Sequence, residues 1–446
     1  MEGKSIMTQQ FMTNRRAFLG ATGVLFPAMA LGADAFNSPR TIPPKISLNG
    51  RKPLAVIGST YYPLSHTYHI AGRFLDGYYI QGKHHVPEHY IHSVFVDQKP
   101  ENDVSASYSK AYGFRLAKSV REALLDEKGQ LAVDGVMLII EHGNYPENEK
   151  GQIQYPRYEY MEQIVKVFRE VGKSVPVFND KHLSITFEKA SRMVQWSKEL
   201  GFPFMAGSSL PFVWRRPELE LPLETPIEEG MMAAFSRIEI YGLHALEALQ
   251  TMMERRKGGE SGVRSVQCIR GDAVWKAGDE GRWSWKLLDE ALSRSETLNP
   301  GDIRVNTKNV TSLSIPRIEP IAFLIEYNDG TKGTVMLLNG HIQDFCFAAK
   351  ISGEEKMKSC LFRLPMPPGA RFFDAQVNNL EKLFVSKKSP IPIERTLLTS
   401  GVLASALESN FQKGKKLETK ELKVRYLAPK DSGFMRGTLS THKEGD

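Results

Sequence analysis

Polar and titratable residues close a series of apolar runs in this chain. Gly58, Ser59 and Thr60 follow the run 53–57, Asp97 follows 91–96, Glu141-His142-Gly143-Asn144 follows 133–140, and Asp180-Lys181-His182 comes just after 175–178. Each group carries chemistry. A carboxylate accepts hydrogen bonds from a diol, an imidazole or an amine exchanges protons, and a turn at a glycine brings backbone N–H groups close to an anion. A second concentration, His66, His69, His84, His85, His89 and His92, includes a His-x-x-His spacing at an expected helix start. Imidazoles can hold a transition metal. No carboxylate set accompanies these, and the nearby Tyr61, Tyr62, Tyr68, Tyr78 and Tyr79 equally suit the wall of a sugar site, so no metal is expected.

Such residues act together only if one framework aligns them. The run 53–58 reads as a short buried strand ending at a glycine, with a helix within 67–78 and a second strand over 91–97. Helical patterning covers 104–112 and 119–125, an apolar strand covers 133–140, and 158–171 is an amphipathic helix. A strand at 175–178, a helix over 187–200 and a strand over 202–206 follow. Strands alternating with helices at this spacing predict a parallel, doubly wound sheet. Ligands bind such sheets beyond the carboxyl ends of the strands, where loops and helix N-termini converge. The polar residues above fall at that edge and are expected to share one cleft.

Past Trp214-Arg215-Arg216-Pro217 the pattern changes. Helices are expected over 244–255, 285–293, 375–384 and 397–411, and the apolar runs 321–327 and 333–338 flank Asn328-Asp329-Gly330, a hairpin signal. The second half therefore reads as an α+β domain with a mainly antiparallel sheet. The expected organisation is a leader over 1–35, a linker over 36–52, a doubly wound domain over 53–212, the α+β domain over 213–430 and a tail over 431–446.

Asn14-Arg15-Arg16-Ala17-Phe18-Leu19-Gly20 looks like a twin-arginine export motif, and the uncharged stretch 17–33 follows it. That stretch is shorter than the roughly 20 residues that span a bilayer. Ala28-Met29-Ala30 and Ala33-Asp34-Ala35 offer small-x-small cleavage sites, so a cleaved leader, the twin-arginine machinery as a partner, a periplasmic destination and no membrane anchor are expected. The net charge of +7 arises from 58 basic residues interleaved with 51 acidic ones, a mixed solvated surface rather than a nucleic-acid interface. Arg255-Arg256-Lys257 and the other short basic segments read as helix ends and loop surface. Cys268, Cys346 and Cys360 lack a C-x-x-C spacing, which excludes a zinc knuckle and leaves open either buried thiols or one bridge.

Val175-Pro176-Val177-Phe178-Asn179-Asp180-Lys181-His182-Leu183-Ser184, the segment 190–200 and Phe204-Met205-Ala206-Gly207 resemble the strand ending in Glu-Lys-Pro, the helix and the next strand of one family. This is the glucose-fructose oxidoreductase and inositol dehydrogenase family (Gfo/Idh/MocA), and the resemblance extends thinly from about residue 54 to 422. It implies an N-terminal Rossmann-like, dinucleotide-binding-type domain. It makes Lys181 the catalytic lysine, with Asp180 in place of Glu and His182 in place of Pro. Gly242-Leu243-His244-Ala245-Leu246-Glu247 resembles the family's Gly-x-His-x-Leu-Asp helix start, which makes His244 the catalytic histidine. The acid normally four positions earlier is Ile240, with Glu239 as a stand-in. In hydride transfer from a carbinol, a base takes the hydroxyl proton and a cation steadies the alkoxide; an imidazole, with an ordinary pKa near 6.5, and an amine suit these roles.

Gly58-Ser59-Thr60-Tyr61-Tyr62-Pro63 stands where the family has Gly-x-Gly-x-x-Gly. Only the first glycine remains, so fewer backbone contacts to phosphate are expected. The resemblance assigns Gly58, Ser59, Thr60, Asp97, Glu141, His142 and Asp180 to NAD or NADP, with Asp97 on the ribose diol favouring NAD. Tyr62, His66, His182 and Glu239 are assigned to substrate. The expected function is an exported oxidoreductase moving hydride between a nicotinamide cofactor and a carbohydrate or polyol. The alternative is a cofactor-free carbohydrate-binding or assembly protein on the same scaffold. Homo-oligomers are common in the family, and the exposed face of the C-terminal sheet is where pairing is expected.

Overall fold

A computed structural model describes residues 46–308, 310–312, 315–365 and 369–437. The leader motif and its cleavage sites lie outside the described residues.

The first half runs β1 (Lys52–Gly58), α1 (His66–Asp76), a ribbon of β2 (Tyr78–Ile80) and β3 (Lys83–His85), β4 (His89–Val96), α2 (Ser105–Tyr112), β5 (Arg115–Ala117), α3 (Val120–Leu124), β6 (Gly135–Ile139), α4 (Arg157–Val171), β7 (Val177–Asp180), α5 (Phe187–Leu200) and β8 (Phe204–Gly207). Six of these strands form a parallel sheet in the order β5-β4-β1-β6-β7-β8. Every residue of β6 is buried, which is why it reads as an unbroken apolar run and not as an alternating one. The helices start and stop where local chemistry dictates. Thr186 caps α5 by accepting from Lys189 N–H, and Gly201 ends it in the left-handed region. Strand order reverses beside β1, so a crevice opens at the carboxyl ends of β4, β1 and β6.

The second half runs β9 (Trp214–Arg216), β10 (Ile227–Ala234), α6 (Ile238–Met253), β11 (Val263–Arg270), α7 (Asp272–Asp279), α8 (Trp285–Leu292), α9 (Ile303–Asn306), a ribbon of β12 (Val310–Ser312) and β13 (Ile315–Ile318), β14 (Ile321–Tyr327), β15 (Lys332–Leu337), β16 (Cys346–Ile351), β17 (Lys358–Arg363), α10 (Phe372–Ser386), α11 (Ile393–Phe411) and β18 (Leu417–Glu418). Its eight-stranded sheet, β18-β11-β14-β15-β10-β16-β17-β9, is antiparallel except for the β10–β15 pair. The hairpin expected around Asn328–Gly330 joins β14 to β15, closed by Tyr327 N–H donating to Thr331 O at 3.0 Å.

Three expectations are corrected. The helix expected over 244–255 begins at Ile238, so His244 lies in its second turn rather than at its start. The sheet face expected to be free for subunit pairing is capped by the chain itself: Trp275, Trp283, Leu287, Leu288 and Ala291 of the α7–α8 region pack on Met231, Ala233, Met336, Ala348 and Leu361. Arg255 and Arg256 are buried, not surface: Arg255 donates to Pro429 O at 2.9 Å and Lys430 O at 3.0 Å, while Arg256 forks onto Glu260 with both bonds at 2.9 Å. All three cysteines are buried free thiols.

The two halves are stitched by the last helices. In α10, Phe384 lies against Gly135, where an added Cβ would sit 2.5 Å from the ring. From α11, Thr396 Oγ1 donates to Ala206 O at 2.9 Å, and Ser400 Oγ accepts from Leu183 N–H at 3.1 Å. Among the described residues, no helix is long and apolar enough to cross a membrane.

Candidate active site

β7 delivers Asn179 and Asp180 to the sheet edge, and Lys181 follows with φ +70°, a left-handed conformation that a non-glycine residue adopts at a cost of about 1–3 kcal/mol. Its N–H donates to Gly207 O at 3.2 Å, which holds the bend. The side chain turns toward the second sheet's helix α6, where Lys181 Nζ lies 2.7 Å from His244 Nε2. Lys181 is 3 % exposed and His244 is partly buried. His244 Nδ1 is buried without a protein partner. Burial first, and Lys181 second, hold this imidazole well below its ordinary range, so it does not act as a free base titrating near neutrality. Glu239 does not stand in as its acid partner either. Glu239 accepts from Ile153 N–H at 3.1 Å, and burial, with Glu141 second, pushes its carboxyl up to about 8.

Glu141, just past β6, lies between two cations. Its Oε2 accepts from Arg157 Nη2 at 2.5 Å, and its Oε1 is 3.7 Å from Lys181 Nζ. Burial pushes this carboxyl up, but Lys181 and Arg157 overcome it and hold the group well below the usual carboxylate range. Arg157 opens α4, is 1 % exposed, approaches His182 Nε2 at 3.2 Å and lies 4.7 Å above the Tyr155 ring. The sequence reading missed Arg157, because a lone arginine after Pro156 looks like an ordinary first-turn residue.

Around this core stand the other residues expected to bind ligands. His66, first in α1, meets Asp180 Oδ2 through Nδ1 at 2.5 Å, and its ring lies 5.2 Å from His142. Burial, then His66, pushes His142 down to about 3, while burial and then Arg157 push His182 well below its ordinary range. The Tyr62 ring is 5.8 Å from His142, and burial, then Glu141, pushes its hydroxyl up to about 12. The histidine group does not gather: His69 stacks on Phe373, His85 meets Glu381, and among the described residues no His/Cys/Asp/Glu group could hold a metal ion.

The first turn departs from the glycine-rich pattern in a specific way. An added Cβ at Gly58 would sit 2.9 Å from Thr67 Oγ1, so the close approach of α1 still requires that glycine. Tyr61 points away from the turn into the core, its ring 5.6 Å from Tyr108, and does not crowd the crevice. Helix α1 begins only at His66, capped by Ser65, whose Oγ accepts from Tyr62 and Tyr68 N–H, both at 3.2 Å. Ser59 is fully buried and spends its hydroxyl on Glu141 O at 2.6 Å, tying the β1 and β6 ends together. Asp97, one residue past β4, is exposed, with Oδ2 accepting from Tyr145 OH at 2.6 Å.

Buried polar atoms without a protein partner concentrate at this edge: Thr60 Oγ1, His142 Nε2, Asp180 Oδ1, His182 Nδ1 and His244 Nδ1. Each such group costs about 1–3 kcal/mol if left unmatched, so the edge suits an occupant rich in hydrogen-bonding groups. A nicotinamide dinucleotide meets that description. The open Asp97 carboxylate fits a ribose diol and Gly58 permits backbone approach, while Thr60 and Pro63 in place of glycines reduce the contacts available to the pyrophosphate.

No protein-family model and no curated relative matches the chain. Solved structures do. GenD2 from gentamicin A biosynthesis, in complex with NAD, aligns at a TM-score of 0.52 and 12 % identity over 85 % of this chain and 99 % of that one. A probable dehydrogenase from Thermotoga maritima aligns at 0.50 and 13 %, covering 83 % and 99 %. Myo-inositol dehydrogenase from Lactobacillus casei, in complex with NAD(H) and myo-inositol, aligns at 0.50 and 10 %, covering 82 % and 96 %. These structures share the two-domain architecture of this chain. At these identities the likeness speaks for architecture, a parallel Rossmann-like sheet beside a mostly antiparallel one, and the chemistry has to be argued from the residues.

Proposed function

We propose that the protein is an oxidoreductase moving a hydride between a nicotinamide cofactor and a carbohydrate or polyol, with Lys181 and His244 as its catalytic residues. The carrying observation is the 2.7 Å contact between Lys181 Nζ and His244 Nε2, with His244 Nδ1 left open in a buried setting. A substrate hydroxyl at Nδ1 gives its proton to that nitrogen while Nε2 passes its own proton to the Lys181 amine. The ring stays neutral through the transfer, as its burial requires, and the ammonium formed lies beside Glu141. Reversal of the same transfer protonates an alkoxide in the reducing direction. When bound, a nicotinamide ring supplies the hydride acceptor or donor.

Gly58, Thr60 and Asp97 would hold that cofactor, and Asp97 favours NAD because a 2′-phosphate would meet a carboxylate. His142 and Asp180 would face it through their open Nε2 and Oδ1 atoms, while Tyr62, His66 and His182 bound the substrate side and keep water out. The NAD bound to GenD2 and the NAD(H) and myo-inositol bound to the Lactobacillus casei dehydrogenase support the cofactor and substrate classes. The twin-arginine-like leader supports export to the periplasm, where a tightly held cofactor replaces access to the cytoplasmic pool. Any homo-oligomer would use a surface other than the capped sheet face.

The test is to release the bound small molecules with acid, identify them by mass and absorbance, and then supply NAD or NADP with a panel of polyols and sugars. Nicotinamide reduction dependent on one of these substrates is expected. A purified, folded protein with no affinity for either dinucleotide would contradict the proposal.

A further inference from the structure

The contact between Lys181 and His244 admits two proton arrangements. With Lys181 as ammonium, Nε2 accepts and the ring proton sits on Nδ1. With Lys181 as amine, Nε2–H donates and Nδ1 presents a lone pair. Only the second arrangement accepts a proton from a substrate hydroxyl. What biases the choice is the charge facing Lys181, and the nearest charges come from the far side: Glu141 Oε1 at 3.7 Å, itself gripped by Arg157 at 2.5 Å.

We propose that Arg157 and Glu141 are a positioning pair that sets which nitrogen of His244 faces the ligand. The inference rests on Lys181 and His244 being the reacting pair. Arg157 also holds His182 Nε2 at 3.2 Å and stacks on Tyr155, so its guanidinium is fixed from three sides, and it fixes Glu141 in turn. A carboxylate shared with an arginine attracts the lysine proton less than one facing lysine alone; a carboxylate still attracts it more than a neutral amide does. The remaining charged and titratable groups around the pair are Asp180 with His66, His142, His182, Tyr62, Tyr155, Glu239 and Tyr241, whose ring lies 5.7 Å from that of His244, and none of them is altered in the test.

Opposite substitutions therefore move the pair in opposite directions. Glu141→Gln leaves Arg157 and Lys181 facing each other without an anion, which favours the amine. Arg157→Met leaves Glu141 to Lys181 alone, which favours the ammonium. Nitrogen-15 NMR of histidine-labelled, full-length protein reads the His244 tautomer directly and needs no substrate, the resonance being assigned by its loss in His244→Asn. The midpoint at which the His244 ring exchanges tautomers should fall by about one pH unit or more in Glu141→Gln and rise by a similar amount in Arg157→Met, with Arg157→Lys close to the parent. If Arg157→Met does not fold, Glu141→Gln and Arg157→Lys carry the comparison, and an unmoved midpoint in Glu141→Gln overturns the proposal. Shifts of the same sign in Glu141→Gln and Arg157→Met also overturn it. A His244 signal unchanged in Lys181→Met would instead remove the pair itself, and with it the functional reading.

Discussion

Glu239 shows how one residue's surroundings become a measurable stability. Its carboxyl, ordinarily near 4.5, is pushed up to about 8 by burial and then by Glu141. Between those values the folded chain holds a proton that the unfolded chain has released. The associated stability is therefore full below the lower value and is lost as pH rises through the upper one. Glu239→Gln removes that loss. Denaturant unfolding at a series of pH values should show the variant gaining about 1–3 kcal/mol over the parent near pH 8 and little near pH 4.5; parallel profiles would contradict the assignment. The resemblance marked Glu239 as the stand-in acid because it lies one position from Ile240, where the acid would be expected. A helix turns about 100° per residue, so a shift of one position from Ile240 re-aims the side chain, here toward Ile153.

At the scale of elements, strand ends carry the site, and their legibility followed from burial. β1, β4, β6 and β7 are close to the expected positions, and β6, covered on both faces, is the unbroken apolar run that such burial demands. The start of α6 was misplaced because Ile238-Glu239-Ile240-Tyr241-Gly242 carries β-branched residues and a glycine, and it is helical through tertiary packing, not propensity. Arg157 and the cap over the second sheet were illegible for a related reason: neither has a local period, and both are defined by what lies across the fold. The β8 end offers a test. Gly207 has φ +119°, and an added Cβ would sit 2.6 Å from Glu247 Oε1, which lies 3.2 Å from Thr396 Oγ1. Gly207→Ala should cost about 2–4 kcal/mol and loosen the β8–α6 contact next to Lys181, read as a lower thermal midpoint. An unchanged midpoint would contradict the packing described.

For the whole molecule, the α7–α8 region covers one face of the second sheet. Leu288→Asp should uncover Met231, Met336 and their neighbours, so light scattering after size exclusion should show more self-association than in the parent; no change would mean that the cover is not what shields that face. The leader is tested at the scale of the cell: changing Arg15 and Arg16 to Lys should retain the protein inside, and normal export would remove the twin-arginine assignment. The central claim spans both sheets, since Lys181 comes from one and His244 from a helix on the other. Its most direct test is turnover, on the polyol or sugar found by screening, for Lys181→Met, His244→Asn and the double variant, with the fold verified. Each single change should lower kcat about 100-fold or more, and the double variant should be little worse than the poorer single one, because the two groups move one proton as a unit. Parent-level turnover in either single variant, or losses that simply multiply, would contradict the account.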